Sequence, residues 1–492
     1  SYTTAEKISG SSEAISSIDT EAGKNVTYYY LNGLPEKVVS DGDDAEQTDT
    51  FGRDNASRIV TQGMNVICKA RETLSAHTHI SLQSVSYEDD FSAEGRSSRI
   101  SEVIHTVAEA DEDSTEANTT KTLTTSLSYN DFGQISAVAK ETATKKLTRD
   151  IVYETDGNKA LGRVKSVTHK KDGDTSALFT ETYIYDTAGR ISGIKKGAKT
   201  VCSYTYDGFG RLVRENNSLF SHTITYDYDA YGNITSKKTY AYHEGTLQGE
   251  YTEDVFTYGD SNRPDRLTAV NGKTVTYENE PNKSTTHLSA FDGMTFTWSK
   301  GFLSGWYGVA DTITGEDHCI FRYNAQGQRI RKTYEYTPPS GSTDNYVKKC
   351  EDFMYYHTDG TLQLIVREVE STSGNRYRGH FRFLYGPDGV SGCIYNATET
   401  RTPVLYTYVR NALGDIVYIC DENYNIKAEY VYDAYGNCEI KNDTTNGFAR
   451  NNPFRYRGYF YDTETGFYYC QTRYYNPAWG RFISMDDVDY VD

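Results

Sequence analysis

Residues 204–217 read YTYDGFGRLVRENN. Side chains alternate along a strand with a period of two, so Tyr204 and Tyr206 share one face of an extended segment. Asp207 suits the first position of a type I turn, where its carboxylate can accept from backbone N–H groups. Gly210 suits the fourth position, where a left-handed conformation is often needed. Arg211-Leu212-Val213 then begins a return strand. The stretch reads as a β-hairpin with a fixed turn chemistry.

The same word recurs along the chain. Clear copies pair Asp186 with Gly189 in YDTAGR (185–190), Asp207 with Gly210 in YDGFGR (206–211), Asp229 with Gly232 in YDAYGN (228–233) and Asp433 with Gly436 in YDAYGN (432–437). Looser copies are YNDFGQ (129–134), YETDGN (153–158), YNAQGQ (323–328), YHTDG (356–360) and YGPDG (385–389), and DTFGR (49–53) keeps the turn without the tyrosine. Gly189, Gly210 and Gly232 fall 21 and 22 residues apart, as do Gly414 and Gly436 at 22. That period suits one strand–turn–strand unit with a connector, repeated as an array. Tyr, Val, Ile and Thr dominate and helix-forming runs are absent, which predicts an all-β chain. The acidic stretches SDGDDAEQTD (40–49) and EADEDSTEAN (109–118) read as turn or loop insertions. TPPSGSTDN (337–345) reads as a linker or as a long hairpin loop.

Composition narrows the functional classes. Among 492 residues, 44 are Tyr, and aromatics reach 13 %, which argues against disorder despite a mean hydropathy of -0.68. Tyrosine buries a large ring and keeps its hydroxyl hydrogen-bonded, which suits a fold with much wall and little deep core. The formal charge of -18 makes nucleic acid a poor partner. The 8 cysteines are irregularly spaced with no CxxC pair, which favours free buried thiols over disulfides. No apolar run is long enough for a membrane span, and no signal peptide is visible. The chain starts at Ser1 without Met, which suggests a fragment or a processed product.

The repeat word and the stretch NPFRYRGYFYDTETGFYYCQTRYYNPAWGRFISMDD (452–487) together resemble the RHS/YD-repeat family. The second stretch is similar to the RHS core C-terminal motif. The resemblance rests there on Arg455, Tyr456, Gly458, Tyr461, Asp462, Gly466, Tyr468, Tyr469, Arg473, Tyr474, Tyr475, Pro477, Gly480, Arg481 and Phe482. It covers most of the chain and is weakest over 1–120. What it implies is a long antiparallel β-sheet of YD-repeat hairpins that spirals into a hollow shell, a cocoon or a teneurin-like barrel. Residues 1–450 would form the shell, with degenerate repeats over 1–120. The C-terminal motif, 451–487, would plug one end, and 488–492 would lead to a C-terminal domain beyond this chain. In the family the shell holds a C-terminal toxin.

Candidate chemistry is thin. Some family members release the toxin by aspartate-dependent cleavage after the core, through a D-P-x-G motif; this chain has Asp486 and Asp487 but no such motif, and solvated or turn aspartates are the simpler reading. His77 and His79 share a strand face and suggest either a metal pair or exposed strand histidines. Asp41, Asp43 and Asp44 lack the calcium-loop order. The repeated aspartates argue for turns rather than a catalytic pair, because catalysis uses one special pair. The Arg and Tyr interleaved over 455–482 suggest a packed plug, with stacked sugars or bases as the other reading. No nucleophile, metal or phosphate motif stands out.

The sequence therefore predicts a non-enzymatic, cofactor-free shell, secreted or at the bacterial surface. It would encapsulate and deliver a C-terminal toxin, with an immunity or secretion partner. The alternative is a surface adhesin that binds glycan or protein on its outer face.

Overall fold

The computed structural model describes the backbone of residues 2–484 apart from 9–11, 20–23, 32–33, 42–44, 54–57, 70–76, 88–98, 112–118, 157–158, 280–285, 309–315, 339–346 and 400. Side chains are described from residue 37 onward, outside those stretches and outside 77, 109–111, 119, 159–160, 279 and 286. The fold is all-β and antiparallel. Among the described residues, helix is confined to the short turns Phe448–Asn451 and Tyr456–Gly458. Two compact units form. The first contains residues 1–148, 312–408 and 420–425; the second contains 149–311, 409–419 and 426–492.

In the second unit the strands Phe179–Tyr185, Ile191–Lys196, Lys199–Tyr206, Leu212–Asn217, His222–Tyr228, Ile234–Ala241 and Tyr251–Thr257 each pair antiparallel with the next. The register slips at the end of the three YD hairpins in this run, so Tyr206 opposes Leu212 while Thr205 opposes Arg214. That slip is a glycine bulge, and it adds local twist to the ribbon. Beyond the hairpin Ile426–Tyr432/Cys438–Lys441 lies a separate four-stranded sheet, formed by Phe460–Asp462, Phe467–Cys470, Arg473–Asn476 and Arg481–Phe482.

In the first unit, strands distant in sequence share a core. Ala45, Met64, Val66 and Cys68 pack with Phe353, Tyr355, Leu364 and Val366. Val107 and Leu123 pack with Leu384, Ile394 and Leu405. Residues 45–50 and 62–68 alternate buried and open positions, as a sheet with one covered face should. The strands Leu362–Ser371 and Gly389–Asn396 are buried on both faces over most of their length.

The acidic stretch 40–49 corrects the loop reading. Leu34–Asp41 and Ala45–Arg53 are paired strands, with only 42–44 outside the described residues. Its polar side chains are satisfied inside the unit: Gln47 Nε2 donates to the Tyr356 carbonyl at 2.6 Å, and Asp49 Oδ1 meets His357 Nδ1 at 3.0 Å. A buried polar group with a partner costs little, so hydropathy alone misplaced the segment. The strands flanking 337–345, Arg329–Thr337 and Val347–Tyr356, pair antiparallel, so that segment joins a hairpin. All eight cysteines are free, and Cys68, Cys202, Cys319, Cys393 and Cys420 are buried.

Candidate functional site

The repeated turn has one geometry. Asp207 Oδ1 accepts from the N–H groups of Phe209 and Arg211, both at 2.9 Å, and Oδ2 accepts from Arg211 Nε at 2.7 Å. Gly210 N–H closes the turn onto the Asp207 carbonyl at 3.0 Å, with φ 85° at the glycine. Asp186 binds Ala188 and Arg190 in the same way, Asp229 binds Tyr231 and Asn233, and Asp433 binds Tyr435 and Asn437. Gly189, Gly232 and Gly436 take φ 81°, 89° and 94°. The Arg190 backbone N–H and guanidinium hold the Asp186 carboxyl below its usual range. One further copy has no glycine: Asp421 caps a turn in which the buried Tyr424 takes φ 57° and donates to the Lys140 carbonyl at 2.7 Å.

Turns are also joined to turns. Tyr206 Oη donates to the Ile191 carbonyl at 2.7 Å, Tyr228 to Leu212 at 2.6 Å, and Tyr432 to Ile416 at 2.7 Å. In each case the acceptor lies two residues past the glycine of another turn. In the first two the residue after that glycine is an arginine stacked on the same ring: Arg190 lies 4.5 Å from the centre of Tyr206, and Arg211 lies 4.7 Å from that of Tyr228. The first unit repeats the hydroxyl bond at Tyr356 onto Arg329 and at Tyr385 onto Leu362. The residue after the glycine also reaches the next turn's backbone. Arg211 donates to the Asp229 carbonyl at 3.0 Å, Asn233 to Pro264 at 2.9 Å, and Asn437 to Pro477 at 3.1 Å.

The C-terminal motif closes around two of these turns within the second unit. The ring of Tyr456 lies on Gly436, where a Cβ would sit 2.7 Å from Cδ1, and its hydroxyl donates to the Ala434 carbonyl at 3.2 Å. Tyr468 and Tyr475 donate to the Gly436 and Tyr435 carbonyls, both at 2.9 Å. Gly480 backs onto the Tyr435 ring, its N–H on the Pro477 carbonyl at 3.3 Å. Arg457 N–H donates to Asp415 Oδ1 at 2.9 Å, beside Gly458 with φ 72°. Arg455 is buried with its guanidinium 4.3 Å from the Tyr461 ring centre, and Arg473 lies 3.8 Å from that of Phe482. Asp462 is fully buried and its carbonyl accepts from Gly466 at 2.8 Å. Tyr469 packs on Tyr474 at 5.3 Å, and Arg481 donates to the Asp265 carbonyl at 2.8 Å. These arginines and rings are engaged with one another. Asp486 and Asp487 lie outside the described residues, as do Asp43 and Asp44.

Beside this docking surface lies a cavity of about 340 Å³, lined by Tyr204, Tyr206, Tyr432, Tyr435 and Tyr456 and by Glu181, Asp415, Asp433, Lys196 and Arg457, among others. Of its acidic members the sequence marked only Asp433, as a turn residue. Glu215 is fully buried behind Asp433; its Oε2 accepts from Ala434 N–H at 2.9 Å and its Oε1 from Asn217 Nδ2 at 3.0 Å. Burial, then the Asp433 charge, pushes the Glu215 carboxyl up to about 8, and burial raises Asp433 as well. Lys196 bridges Glu429 at 3.1 Å and Tyr418 at 3.0 Å. Burial lifts the Cys202 thiol to about 12, so it is a poor nucleophile.

His79 is buried, not exposed, and its Nδ1 accepts from Arg382 Nε at 3.1 Å. The His77 side chain lies outside the described residues, and among the described residues no cluster of three metal-ligating side chains forms. Ser81 and His105 approach within 2.7 Å. His105 Nδ1 accepts from the Tyr385 N–H at 3.0 Å, so Nε2 carries the proton and donates to Ser81. That tautomer cannot take the serine proton, so the pair is not a nucleophile and base. Burial holds the ring neutral, with its pKa down at about 3.

No family model matches the chain. Over 285 residues it is 30 % identical to the tRNA3(Ser)-specific nuclease WapA of Bacillus spizizenii; the match takes in 57 % of this chain and 10 % of that protein. It is 22 % identical over 335 residues to double-stranded DNA deaminase toxin A of Burkholderia cenocepacia, with 64 % of this chain and 21 % of that one covered. The chain thus spans a small part of the relatives it matches. A crystal structure of TcdB2-TccC3 shares its fold, with a TM-score of 0.63 and 15 % identity over 97 % of this chain and 27 % of that one. No helix among the described residues is long and apolar enough to cross a membrane. In its repeats and its C-terminal motif the chain resembles the RHS/YD-repeat family, it is similar in sequence to bacterial toxin proteins, and it shares the all-β antiparallel fold of TcdB2-TccC3.

Proposed function

We propose that this chain is wall material: a non-enzymatic part of a shell that encloses a C-terminal toxin or effector and delivers it in a bacterial polymorphic toxin system. The observation that carries the reading is the ladder between turns. The repeated tyrosines and arginines bind the neighbouring hairpin, which is what a wall requires and a ligand site does not. Toxin relatives support a toxin as the cargo. Residues 451–487 would act as the plug, and an immunity or secretion factor would be a further partner. Such a protein is secreted or held at the cell surface. The test is proteolysis of the parent polypeptide with its toxin domain attached. Cargo that resists protease until the repeat sheet unfolds supports the shell; cargo cut as fast as the free domain refutes it.

A second reading, a surface adhesin that binds glycan or protein, is favoured by the exposure of Phe209 at 88 % and Tyr231 at 74 % on adjacent turn tips.

A further inference from the structure

The hexapeptide YDAYGN occurs twice, at 228–233 and 432–437, and both copies fold into the same aspartate-capped turn. Their surroundings differ. At 432–437 three tyrosine hydroxyls occupy three consecutive carbonyls: Tyr456 on Ala434, Tyr475 on Tyr435 and Tyr468 on Gly436. A tyrosine ring covers the turn glycine, and a glycine, Gly480, covers the turn tyrosine.

At 228–233 none of these contacts is made. The carbonyls of Ala230, Tyr231 and Gly232 accept no hydrogen bond from the described residues. Nothing lies within 4 Å of a Cβ placed on Gly232, and Tyr231 is 74 % exposed. The cause is local. Each turn grips a proline carbonyl, Asn233 that of Pro264 and Asn437 that of Pro477. Pro477 is flanked by Tyr475 and Gly480, which supply a hydroxyl and bare backbone. The residues at the same offsets from Pro264 are Asn262 and Leu267, which supply neither.

We propose that the 228–233 turn is a docking site for a tyrosine- and glycine-bearing polypeptide turn presented by a partner chain, of the kind that residues 468–480 present to 432–437. The occupant's hydroxyls would meet the open carbonyls, and its glycine would lie on the Tyr231 ring. Large rings with a polar edge are the usual anchors of such contacts. Phe209, on the adjacent tip, extends the surface, since Arg211 ties its turn to the Asp229 carbonyl at 3.0 Å. The proposal does not rest on the shell reading.

The experiment adds a labelled synthetic peptide of sequence 466–482, with Ser at position 470, to the intact chain and follows fluorescence anisotropy. The chain's own motif already fills 432–437 at high effective concentration, so added peptide reports other sites. Saturable binding is expected, weakened about tenfold or more by Tyr231→Ala in the chain and by Tyr475→Phe or Gly480→Ala in the peptide. Tyr231→Phe should retain it, because the ring is the contact. Circular dichroism checks that the variants fold. Absence of saturation, binding indifferent to Tyr231→Ala, or an oligosaccharide that binds these tips where the peptide does not, would each overturn the proposal.

Discussion

The Tyr206 hydroxyl donates to the Ile191 carbonyl at 2.7 Å while the Arg190 guanidinium stacks 4.5 Å from the centre of the same ring. One side chain thus receives both a hydrogen bond and a cation from the preceding hairpin. Tyr206→Phe removes only the first. It should lower stability by about 1 kcal/mol, read from the urea midpoint with the slope unchanged. Arg190→Ala should cost more, because it removes the Asp186 partner at 2.7 Å as well as a cation over a half-exposed ring, which alone contributes about 0.5–1 kcal/mol. The double variant should differ from the sum of the two, since both groups hold one ring.

Gly208 and Gly210 sit in one turn under different constraints. Gly210 has φ 85°, a region that L side chains enter at a cost of roughly 1–2 kcal/mol. Gly208 has an ordinary φ and open space around a built Cβ. Gly210→Ala should therefore destabilise, whereas Gly208→Ala should be neutral or stabilising by about 0.4–1 kcal/mol through the unfolded chain. Thermal melts of the two variants check this, and equal losses would contradict the turn argument.

These contrasts also show what a sequence can carry. The chemistry of Asp207 and Gly210 lies within four residues, so a short window holds it, and the period of the word gives the hairpin array. The bond from Tyr206 to Ile191 crosses from one hairpin to the next and depends on register, which the word does not encode. Glu215 is further from reach. It stands in RENN, which reads as a polar strand end, and becomes a buried acid only because the turn at 433–437 closes over it from 219 residues away. The 40–49 segment failed for the same reason: Gln47 and Asp49 meet their partners, Tyr356 and His357, some 300 residues later. Charge predicts exposure only until a distant strand supplies the hydrogen bond.

The two YDAYGN copies give an internal control on the C-terminal motif. Gly436→Ala and Gly232→Ala carry the same backbone strain, with φ 94° and 89°. Only the first also drives a Cβ into the Tyr456 ring. Hydrogen exchange over 456–482 should rise in Gly436→Ala and stay at the parental level in Gly232→Ala. Equal exchange in both variants would mean that the motif is held elsewhere.

The buried Glu215–Asp433 pair sets a pH dependence of definite sign. Glu215 is pushed from its ordinary value of 4.5 up to about 8, so the folded chain holds a proton that the unfolded chain releases. Stability then falls as pH rises wherever the folded state binds more protons. The contribution is fully present below the ordinary value and is lost progressively as pH climbs to about 8. The exposed turn aspartates have the opposite sign. Asp186, held below its usual range, favours the fold at neutral pH and stops doing so in acid. Glu215→Gln cannot ionise, although it keeps only one of the two acceptors that serve Ala434 and Asn217. The variant should melt lower than the parent in mild acid, and its melting temperature should fall less, or rise more, between about 4.5 and 8. Buried His105 contributes a rise up to about 6.5 in parent and variant alike, so the difference between the two slopes is the readout; a variant with the same slope as the parent would show that Glu215 is ionised in the fold and that the 433–437 turn is held against two charges.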